Sequence, residues 1–266
     1  MTQMPDRSSE AMAALLGSVS ADLRANLSGI QSALDRAFDS QSKDAALLYQ
    51  SYYRILRLVG NMDTLSRALE GDAPYLQNRD VAALWYDMFL RCEGLFAQNG
   101  VTLEYRCDKE SVVSAINAPL LQQMLLQLLS NALKAAPKGS TVTLQLRLTG
   151  KNILLSVTDR GQGLPADKGE ALLHLQRTPD PMDLSPHGPG MGLPICRWIA
   201  ESHGGSITLL STPGKGCTAT VSLPNRASNN APAEEPAADY HGGFNPTLLG
   251  LADALGWESF TLPNRD

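Results

Sequence analysis

Three short segments of this chain carry glycines and polar side chains whose types and spacing could bind a ligand. Residues 127–134 read Gln-Leu-Leu-Ser-Asn-Ala-Leu-Lys on a predicted helix and offer amide oxygens and an ammonium group. Residues 159–163 place a carboxylate beside two glycines at the end of a predicted strand. Residues 188–193 form a glycine-rich turn that leads into another predicted helix. The three segments could supply a metal ligand, an acceptor for a base amino group and donors for phosphate.

The helical segment could bind a metal ion and a phosphate. Asn131 lies one step off the buried face of its helix, and its amide oxygen could bind Mg²⁺, which prefers hard oxygen ligands. Gln127, one turn earlier, could supply a second ligand or position a water molecule. Lys134, one turn later, could contact a phosphate as a point charge. Each of these residues alone is more often an ordinary surface residue, so their combination is what indicates a site.

The strand-end segment could recognise a base. Asp159 follows a predicted core strand, and its carboxylate could accept a hydrogen bond from an exocyclic amine such as that of adenine. Gly161 and Gly163 would let the backbone approach closely, because glycine has no Cβ. An ordinary Asp-x-Gly turn is the alternative interpretation of this segment.

The glycine-rich turn has the composition of a phosphate-binding loop. Gly188, Gly190 and Gly192 precede a predicted helix, whose first N–H groups and dipole favour an anion. A dinucleotide-binding fold would need this turn after the first strand of a βαβ unit, whereas here it follows a proline-rich loop late in the chain. A P-loop is excluded too, because Leu193 and Pro194 stand where its lysine would follow.

Apolar periodicity predicts the elements that position these segments. It spans residues 8–38 and continues from residue 44 to the break at 71–74, which predicts a helical hairpin. The apolar residues form a continuous stripe along both helices, and a single hairpin would leave much of it exposed. We therefore expect residues 9–71 to form a dimeric four-helix bundle. The next part, residues 78–226, is predicted to be an α/β sandwich with a mixed sheet. Its predicted helices are 80–99, 118–136 and 191–203, and its predicted strands are 101–106, 111–116, 141–148, 153–159, 206–211 and 218–223.

The last part of the chain has two contrasting compositions. Residues 227–239 are rich in Ala, Asn, Pro and Glu, which predicts a disordered linker. Residues 240–266 contain leucines, phenylalanines and a tryptophan, and they are too apolar for a spacer. We expect a docking segment here, which packs either on the protein itself or on a partner.

Bulk composition excludes several classes of function. The net charge of −5 provides no basic surface for nucleic acid. The four cysteines show no C-x-x-C spacing, so free thiols are expected rather than a zinc or redox site. There is no signal-peptide pattern, and no apolar run approaches the length of about 18 residues that a membrane span needs. A cytoplasmic protein is therefore expected.

The three segments, in this order, resemble the asparagine box and the two glycine boxes of sensor histidine kinases. Residues 195–205 and 214–224 are similar to the rest of that family's ATPase domain, and with the hairpin the resemblance covers roughly residues 9–226. It implies an α+β chain, in which a dimeric helical hairpin is followed by an ATPase domain of the histidine kinase and gyrase type. The implied ligands are ATP or ADP together with Mg²⁺.

The resemblance also implies a role for each site residue. Asn131 would bind Mg²⁺, with Gln127 as a second candidate ligand, and Asp159 would accept from the adenine amine. Lys134 would lie near phosphate, and Thr218 would belong to the nucleotide-binding residues. The phosphate lid would be shaped by the glycines of the two boxes: Gly161, Gly163, Gly188, Gly190 and Gly192.

The chain departs from the family at the residue that is phosphorylated. The family's first hairpin helix carries a phosphoacceptor histidine in a segment like Ser-His-Glu-Leu-Arg, where this chain reads Ser-Ala-Asp-Leu-Arg around Ala21. Alanine has no nucleophile, and all four histidines of the chain lie outside the hairpin. Autophosphorylation at the usual site is therefore not expected. Ala135 also replaces a common aromatic residue, and residues 172–177 replace a phenylalanine-rich box, in which Arg177 could still reach phosphate.

Three functions are compatible with this pattern. The first is a dimer that binds ATP or ADP and docks or regulates a response regulator or a sensor kinase. The second is a kinase that acts in trans on another protein, as anti-sigma serine kinases do, although those resemble a lone ATPase domain. The third is a nucleotide-free scaffold, which the retention of Asn131, Asp159 and the 188–192 turn disfavours.

Overall fold

The structure, a computed structural model, describes residues 7–37, 42–164, 171–174, 190–227 and 244–261. The chain forms two compact units. The helical unit comprises Met1–Ala73 and Gly243–Asp266, and the sheet unit comprises Pro74–Gly242. The C-terminal residues are thus grouped with the N-terminal helices, although the whole sheet unit separates them along the chain.

Two long helices, α1 (Arg7–Ala37) and α2 (Lys43–Glu70), are the basis of the helical unit. The Ser42 hydroxyl accepts a hydrogen bond from the Ala45 N–H at the start of α2, and Gly71 ends the helix with a left-handed backbone (φ 75°). None of the described helices has the length and the apolar composition that crossing a membrane requires.

Small residues and buried hydroxyl groups form the contact between α1 and α2. The Ser20 hydroxyl donates to the Val59 carbonyl at 3.2 Å, and the Ser66 hydroxyl donates to the Ala13 carbonyl at 2.7 Å. Ala13 and Val59 are both fully buried. Because these side chains are short, the two helices can approach closely along this seam.

The last described residues of the chain pack on α2. They form α6 (Pro246–Leu251), which begins after the capping residue Asn245, and a 3-10 helix (Trp257–Phe260). Residues 244–261 are referred to as the C-terminal cap. The apolar segment was expected to pack either on the protein itself or on a partner. Its described residues pack on α2 of the same chain. The large apolar side chains of the cap that are at most 2% exposed are Leu248, Leu251, Leu255 and Phe260.

The sheet unit follows the predicted order of elements, with one strand added. Its strands are β1 (Gln77–Asp80), β2 (Thr102–Cys107), β3 (Val113–Ile116), β4 (Thr141–Thr149), β5 (Asn152–Thr158), β6 (Ser206–Thr212) and β7 (Gly216–Pro224). Its helices are α3 (Val81–Gln98), α4 (Ala118–Ala135) and α5 (Gly192–Ser202), with a 3-10 turn at Ala171–Leu173.

A five-stranded mixed sheet forms the centre of this unit. The strand order is β2-β4-β5-β7-β6, in which β2 runs parallel to β4 and all other neighbours are antiparallel. Alternate residues of β4, β5 and β7 are buried, and α3, α4 and α5 contact the sheet. The α+β fold expected from the sequence is confirmed.

The added strand, β1, has no strand-like pattern of its own. Its four residues are extended because β3 pairs with them in antiparallel register. The predicted start of α3 at residue 80 was one residue early, since Asp80 ends β1 and caps the helix. Its Oδ1 accepts from the Ala82 N–H at 2.9 Å and from the Val112 N–H at 3.1 Å, which joins the helix start to the β3 side of the unit.

A buried histidine connects the end of α5 to the start of α4. The Nδ1–H of His203 donates to the Ile199 carbonyl (2.7 Å), and Nε2 accepts from the Asn117 N–H (2.9 Å). An imidazole that donates through one nitrogen and accepts through the other is neutral. In accord with this, burial lowers the pKa of His203.

We expect acidification to destabilise the sheet unit through His203. Below the ordinary histidine pKa of about 6.5, the unfolded chain binds a proton that the buried ring cannot accept, so stability falls as the pH decreases from that value. The thermal unfolding midpoint of the wild type should therefore fall more between about pH 7.5 and pH 5.5 than that of His203→Gln, which does not titrate. His174→Gln, at an exposed histidine, is the control and should behave like the wild type. Equal losses in the wild type and His203→Gln would contradict this role.

Candidate nucleotide-binding site

Asp159 lies at the end of the central strand β5, beside the backbone of β7. Its N–H donates to the Cys217 carbonyl at 2.9 Å, and its Oδ1 accepts from the N–H groups of Gly161 (2.8 Å) and Cys217 (3.3 Å). The residue is only 7% exposed. The N–H groups of two other residues therefore orient Oδ1, whereas no other described residue donates a hydrogen bond to Oδ2.

Burial makes the negative charge of this carboxylate unfavourable. It raises the pKa of Asp159, although the hydrogen bonds from Gly161 and Cys217 act in the opposite direction. The pKa of the Cys217 thiol is also raised, by burial and by the nearby charge of Asp159. An N–H donor of a ligand at Oδ2 would compensate for part of the lost hydration, so this carboxylate is suited to bind an amino group.

Gly161 and Gly163 occupy positions that have no room for a side chain. A Cβ on Gly161 would lie 2.5 Å from the carbonyl oxygen of Ala135, the last residue of α4. A Cβ on Gly163, where φ is +68°, would overlap the Thr212 carbonyl oxygen at the end of β6. The glycines thus let the loop after β5 pack against both α4 and the β6–β7 turn.

The three candidate residues of α4 lie at different depths. Asn131 and Lys134 are half-buried, whereas Gln127 is 4% exposed. The Oε1 atom of Gln127 lies 2.9 Å from the position that a Cβ on Gly192 would take, at the first residue of α5. Gln127 lies near Gly192 at the start of α5, and Ala135 lies near Gly161 in the loop after β5. These two contacts are about 12 Å apart along α4, and Asn131 lies between them.

The described part of the glycine-rich turn leads directly into α5. Gly190 has a left-handed backbone (φ 72°), and α5 begins at Gly192. The preceding residue, Met191, makes no side-chain hydrogen bond to the first turn, so no N-cap side chain occupies the first N–H groups of α5. Gly188 lies outside the described residues.

The structure places Thr218 and Cys217 in different surroundings. Thr218 lies opposite Thr158, and their hydroxyl oxygens are 3.0 Å apart across β5 and β7. The preceding residue, Cys217, is the one that contacts Asp159, and sequence reasoning missed it. The register of β7 on β5 brings Cys217 to this position, and no local pattern in the sequence specifies that register.

Asn131 and Gln127 are the two candidate protein ligands for Mg²⁺. The described residues contain no group of three or more His, Cys, Asp or Glu side chains arranged around one metal position. Mg²⁺ at a nucleotide takes few protein ligands, because phosphate and water oxygens complete its octahedron. The half-buried amide of Asn131 fits such a set. Gln127 fits it poorly, since its oxygen faces the start of α5.

The remaining positions named from the sequence are Ala21, Ala135 and residues 172–177. Ala21 is exposed on α1 in the helical unit, beside the buried Ser20. Ala135 is exposed at the end of α4. Within 172–177, the ring of His174 contacts the Arg197 guanidinium of α5 at 2.8 Å, and Arg177 lies outside the described residues.

Known proteins share both sequence and domain type with this chain. Residues 116–227 match the family of histidine kinase-, DNA gyrase B- and HSP90-like ATPases. An uncharacterised sensor-like histidine kinase of Rhizobium meliloti is 30% identical over 225 residues, which are 81% of this chain and 41% of that relative. The adaptive-response sensory kinase SasA of Parasynechococcus marenigrum is 36% identical over 152 residues, which are 56% of this chain and 39% of that relative. The chain thus spans about two fifths of the length of these curated relatives.

Solved structures of histidine kinases share the fold. Full-length ShkA in complex with AMPPNP is 20% identical and has a TM-score of 0.66, over 86% of this chain and 48% of its own. The catalytic domain of ThkA is 20% identical and has a TM-score of 0.51, over 57% of this chain and 96% of its own. These matches agree with the fold that the three sequence segments implied.

Proposed function

We propose that this chain is a nucleotide-binding signalling protein of the two-component type. The ground is the match of residues 116–227 to the family of histidine kinase-, DNA gyrase B- and HSP90-like ATPases. The protein would not phosphorylate itself at the position that is usual in sensor histidine kinases. Residues 78–226 would bind ATP or ADP. Residues 9–71 would pair with a second copy. The observation that carries the proposal is the orientation of the Asp159 carboxylate, with one oxygen bonded to the backbone and the other without a donor among the described residues.

The orientation of Asp159 favours adenine over guanine. Guanine offers a carboxylate two adjacent N–H donors, which need both carboxylate oxygens as acceptors. Adenine offers its single exocyclic amine, for which one oxygen is enough. Since Oδ1 of Asp159 already accepts from Gly161 and Cys217, only Oδ2 is left for a base.

The phosphates would lie toward α4 and the start of α5. The N–H groups at the start of α5, after Gly190 and Gly192, favour anions through their partial positive charge. Lys134 would add a positive charge from the last turn of α4. Asn131 would hold Mg²⁺, which, when bound, neutralises phosphate charge. Gly188 completes the proposed phosphate-binding turn.

The helical unit would dimerise through an apolar stripe that both helices leave open. The members of this stripe are spaced by three, four or seven residues on α1, and on α2 they flank the seam with α1. When two copies pair, the stripe of each copy would pack against the stripe of the other, as in a four-helix bundle. The stripe residues, between 37% and 58% exposed, are Met12, Leu15, Val19, Leu23, Ile30, Leu47, Leu48, Ile55 and Leu58.

Signalling would then pass through binding rather than through self-phosphorylation. Ala21 provides no nucleophile, so the nucleotide state of the sheet unit would act on a partner, which we propose is a response regulator or a sensor kinase. We propose a cytoplasmic location for this pairing. The net charge of −5 disfavours nucleic acid as the partner.

We expect Asp159→Asn to weaken ATP and ADP binding at least about tenfold, or about 1.4 kcal/mol. The asparagine oxygen would keep the two backbone bonds of Oδ1, so its NH₂ group would replace Oδ2 and oppose the adenine amine with another donor. Isothermal titration of the full chain with Mg-ATP, Mg-ADP and Mg-GTP measures the effect, and GTP should bind more weakly than ATP to the wild type. Asp108→Asn, at an exposed carboxylate, is the matched control. An unchanged ATP affinity in Asp159→Asn would contradict the assignment.

We expect Leu23→Glu and Ile55→Glu to convert the dimer into a monomer, because each puts a charge into the stripe that would be buried. Sedimentation equilibrium of the full chain measures the mass. Leu210→Glu, at a leucine that is 68% exposed on β6, is the control and should leave the dimer intact. A wild-type chain that sediments as a monomer would overturn the proposed pairing.

A further inference from the structure

The C-terminal cap is bound by three polar side chains that recur along α2. The Gln50 amide donates to the Leu255 carbonyl at 2.7 Å, and the Arg54 Nε–H donates to the Ala252 carbonyl at 3.2 Å. One turn further along α2, the Arg57 guanidinium pairs with a cap carboxylate, as described next. The Ala252 carbonyl lies at the end of α6, where helix carbonyls lack partners within the helix, and the Leu255 carbonyl lies in the segment that follows α6.

A charged pair and aromatic contacts complete the interface. The Arg57 guanidinium lies 3.0 Å from the Asp253 carboxylate, and the Arg57 side chain is only 6% exposed. Tyr53 contacts Phe260, with ring centroids 5.5 Å apart. The Lys43 ammonium lies 5.3 Å from the ring centre of Trp257. Arg57 pairs with Asp253, and Lys43 faces an aromatic ring, so the basic side of α2 is matched by the groups that the cap presents.

The composition of this part of α2 is that of an interface between separate pieces of protein. The seam between α1 and α2 is closed by small and apolar residues such as Ala13 and Val59 and by the hydroxyl groups of Ser20, Ser66 and Tyr52. The cap lies on glutamine and arginine in addition to tyrosine, and these residue types can be hydrated when uncovered. Tyrosine and arginine are also enriched at protein–protein interfaces and at their energetic centres.

The connection to the cap is also unlike the short connections of a folded core. Residues 228–243 separate the last described residue of the sheet unit from the cap, and they are rich in Ala, Pro and Glu. A segment of this length and composition is typical of a linker. The cap is thus covalently attached to the sheet unit while it packs in the helical unit.

We propose that the α2 surface formed by Lys43, Gln50, Tyr53, Arg54 and Arg57 is a docking surface for a short peptide segment, and that the cap of the same chain is its exchangeable occupant. A partner that could displace the cap would present the same chemistry: a one- to two-turn helix with buried leucines and a carboxylate just after its last turn. This surface is independent of nucleotide binding, so the inference goes beyond the proposed function.

The test uses the full chain with a protease site placed between residues 229 and 238. After cleavage, a fluorescein-labelled peptide of residues 244–261 is added, and its anisotropy is measured together with the far-UV circular dichroism of the protein. We expect the cut protein to take up the peptide with its helical signal unchanged. The uncut protein should bind it at least about tenfold more weakly, because its tethered cap competes at high effective concentration.

Two results would overturn the proposal. If the cut protein takes up no peptide, or loses helical signal as the cap leaves, the cap is a permanent part of the helical core. If the uncut protein binds the peptide as well as the cut protein does, the surface is not covered by the cap in solution. In a third outcome, the cap of one uncut chain would pack on α2 of a second uncut chain. When uncut chains with labelled caps are mixed with unlabelled uncut chains, labelled caps would then be found on α2 of the unlabelled chains, and this result would also contradict the proposal.

The charged pair gives a matched test of the binding mode. A peptide with Asp253→Arg cannot unfold the protein, and it should bind at least about tenfold more weakly, because it leaves Arg57 buried against a like charge. The full, cut protein with Arg57→Glu should recover binding of that peptide. Arg67→Glu is the control, since Arg67 pairs with Asp72 at the far end of α2. Equal binding of both peptides to the wild type would exclude this mode.

Discussion

The buried carboxylate of Asp159 is the interaction on which the candidate site depends. Burying a carboxylate is unfavourable, and the N–H groups of Gly161 and Cys217 offset part of this cost. These donors are in place only because β7 lies beside β5 in one register and because Gly161 can approach the end of α4. The same contacts leave the second oxygen of Asp159 for the proposed ligand, so the folding of this end of the sheet and the proposed recognition of a base would rest on the same hydrogen bonds.

The parts of the structure that the sequence could predict are those determined locally. Helices α1, α2 and α4 and the central strands follow from apolar periodicity, which needs no knowledge of a partner. Strand β1 is extended because it pairs with β3, and its own residues carry no strand pattern. Strand register brings Cys217 to Asp159, and the approach of α5 buries Gln127. Spacing thus identified the segments of the site, while tertiary contacts set the depth and direction of each side chain.

Helix geometry places the two proposed surfaces of the helical unit on partly different sides of α2. Leu48 and Ile55 of the open stripe lie nearly opposite Gln50 and Arg57, which contact the C-terminal cap. Leu47 and Leu58 of the stripe are seven and four residues from Arg54, so they lie on the side of α2 where Arg54 contacts the cap. The two surfaces therefore meet along this side of the helix. Since Ala21 offers no nucleophile, we propose that the unit acts through these binding surfaces rather than through phosphate transfer.

We propose that the chain binds ATP without becoming phosphorylated, and one experiment tests both parts of this proposal. The full chain is incubated with γ-³²P-labelled Mg-ATP, and the label retained on a filter under native conditions is compared with the label on the chain after denaturation. We expect saturable retention under native conditions, reduced by unlabelled ADP, and no label on the denatured chain. Label that remains on the denatured chain, or no retention by the native protein, would contradict it.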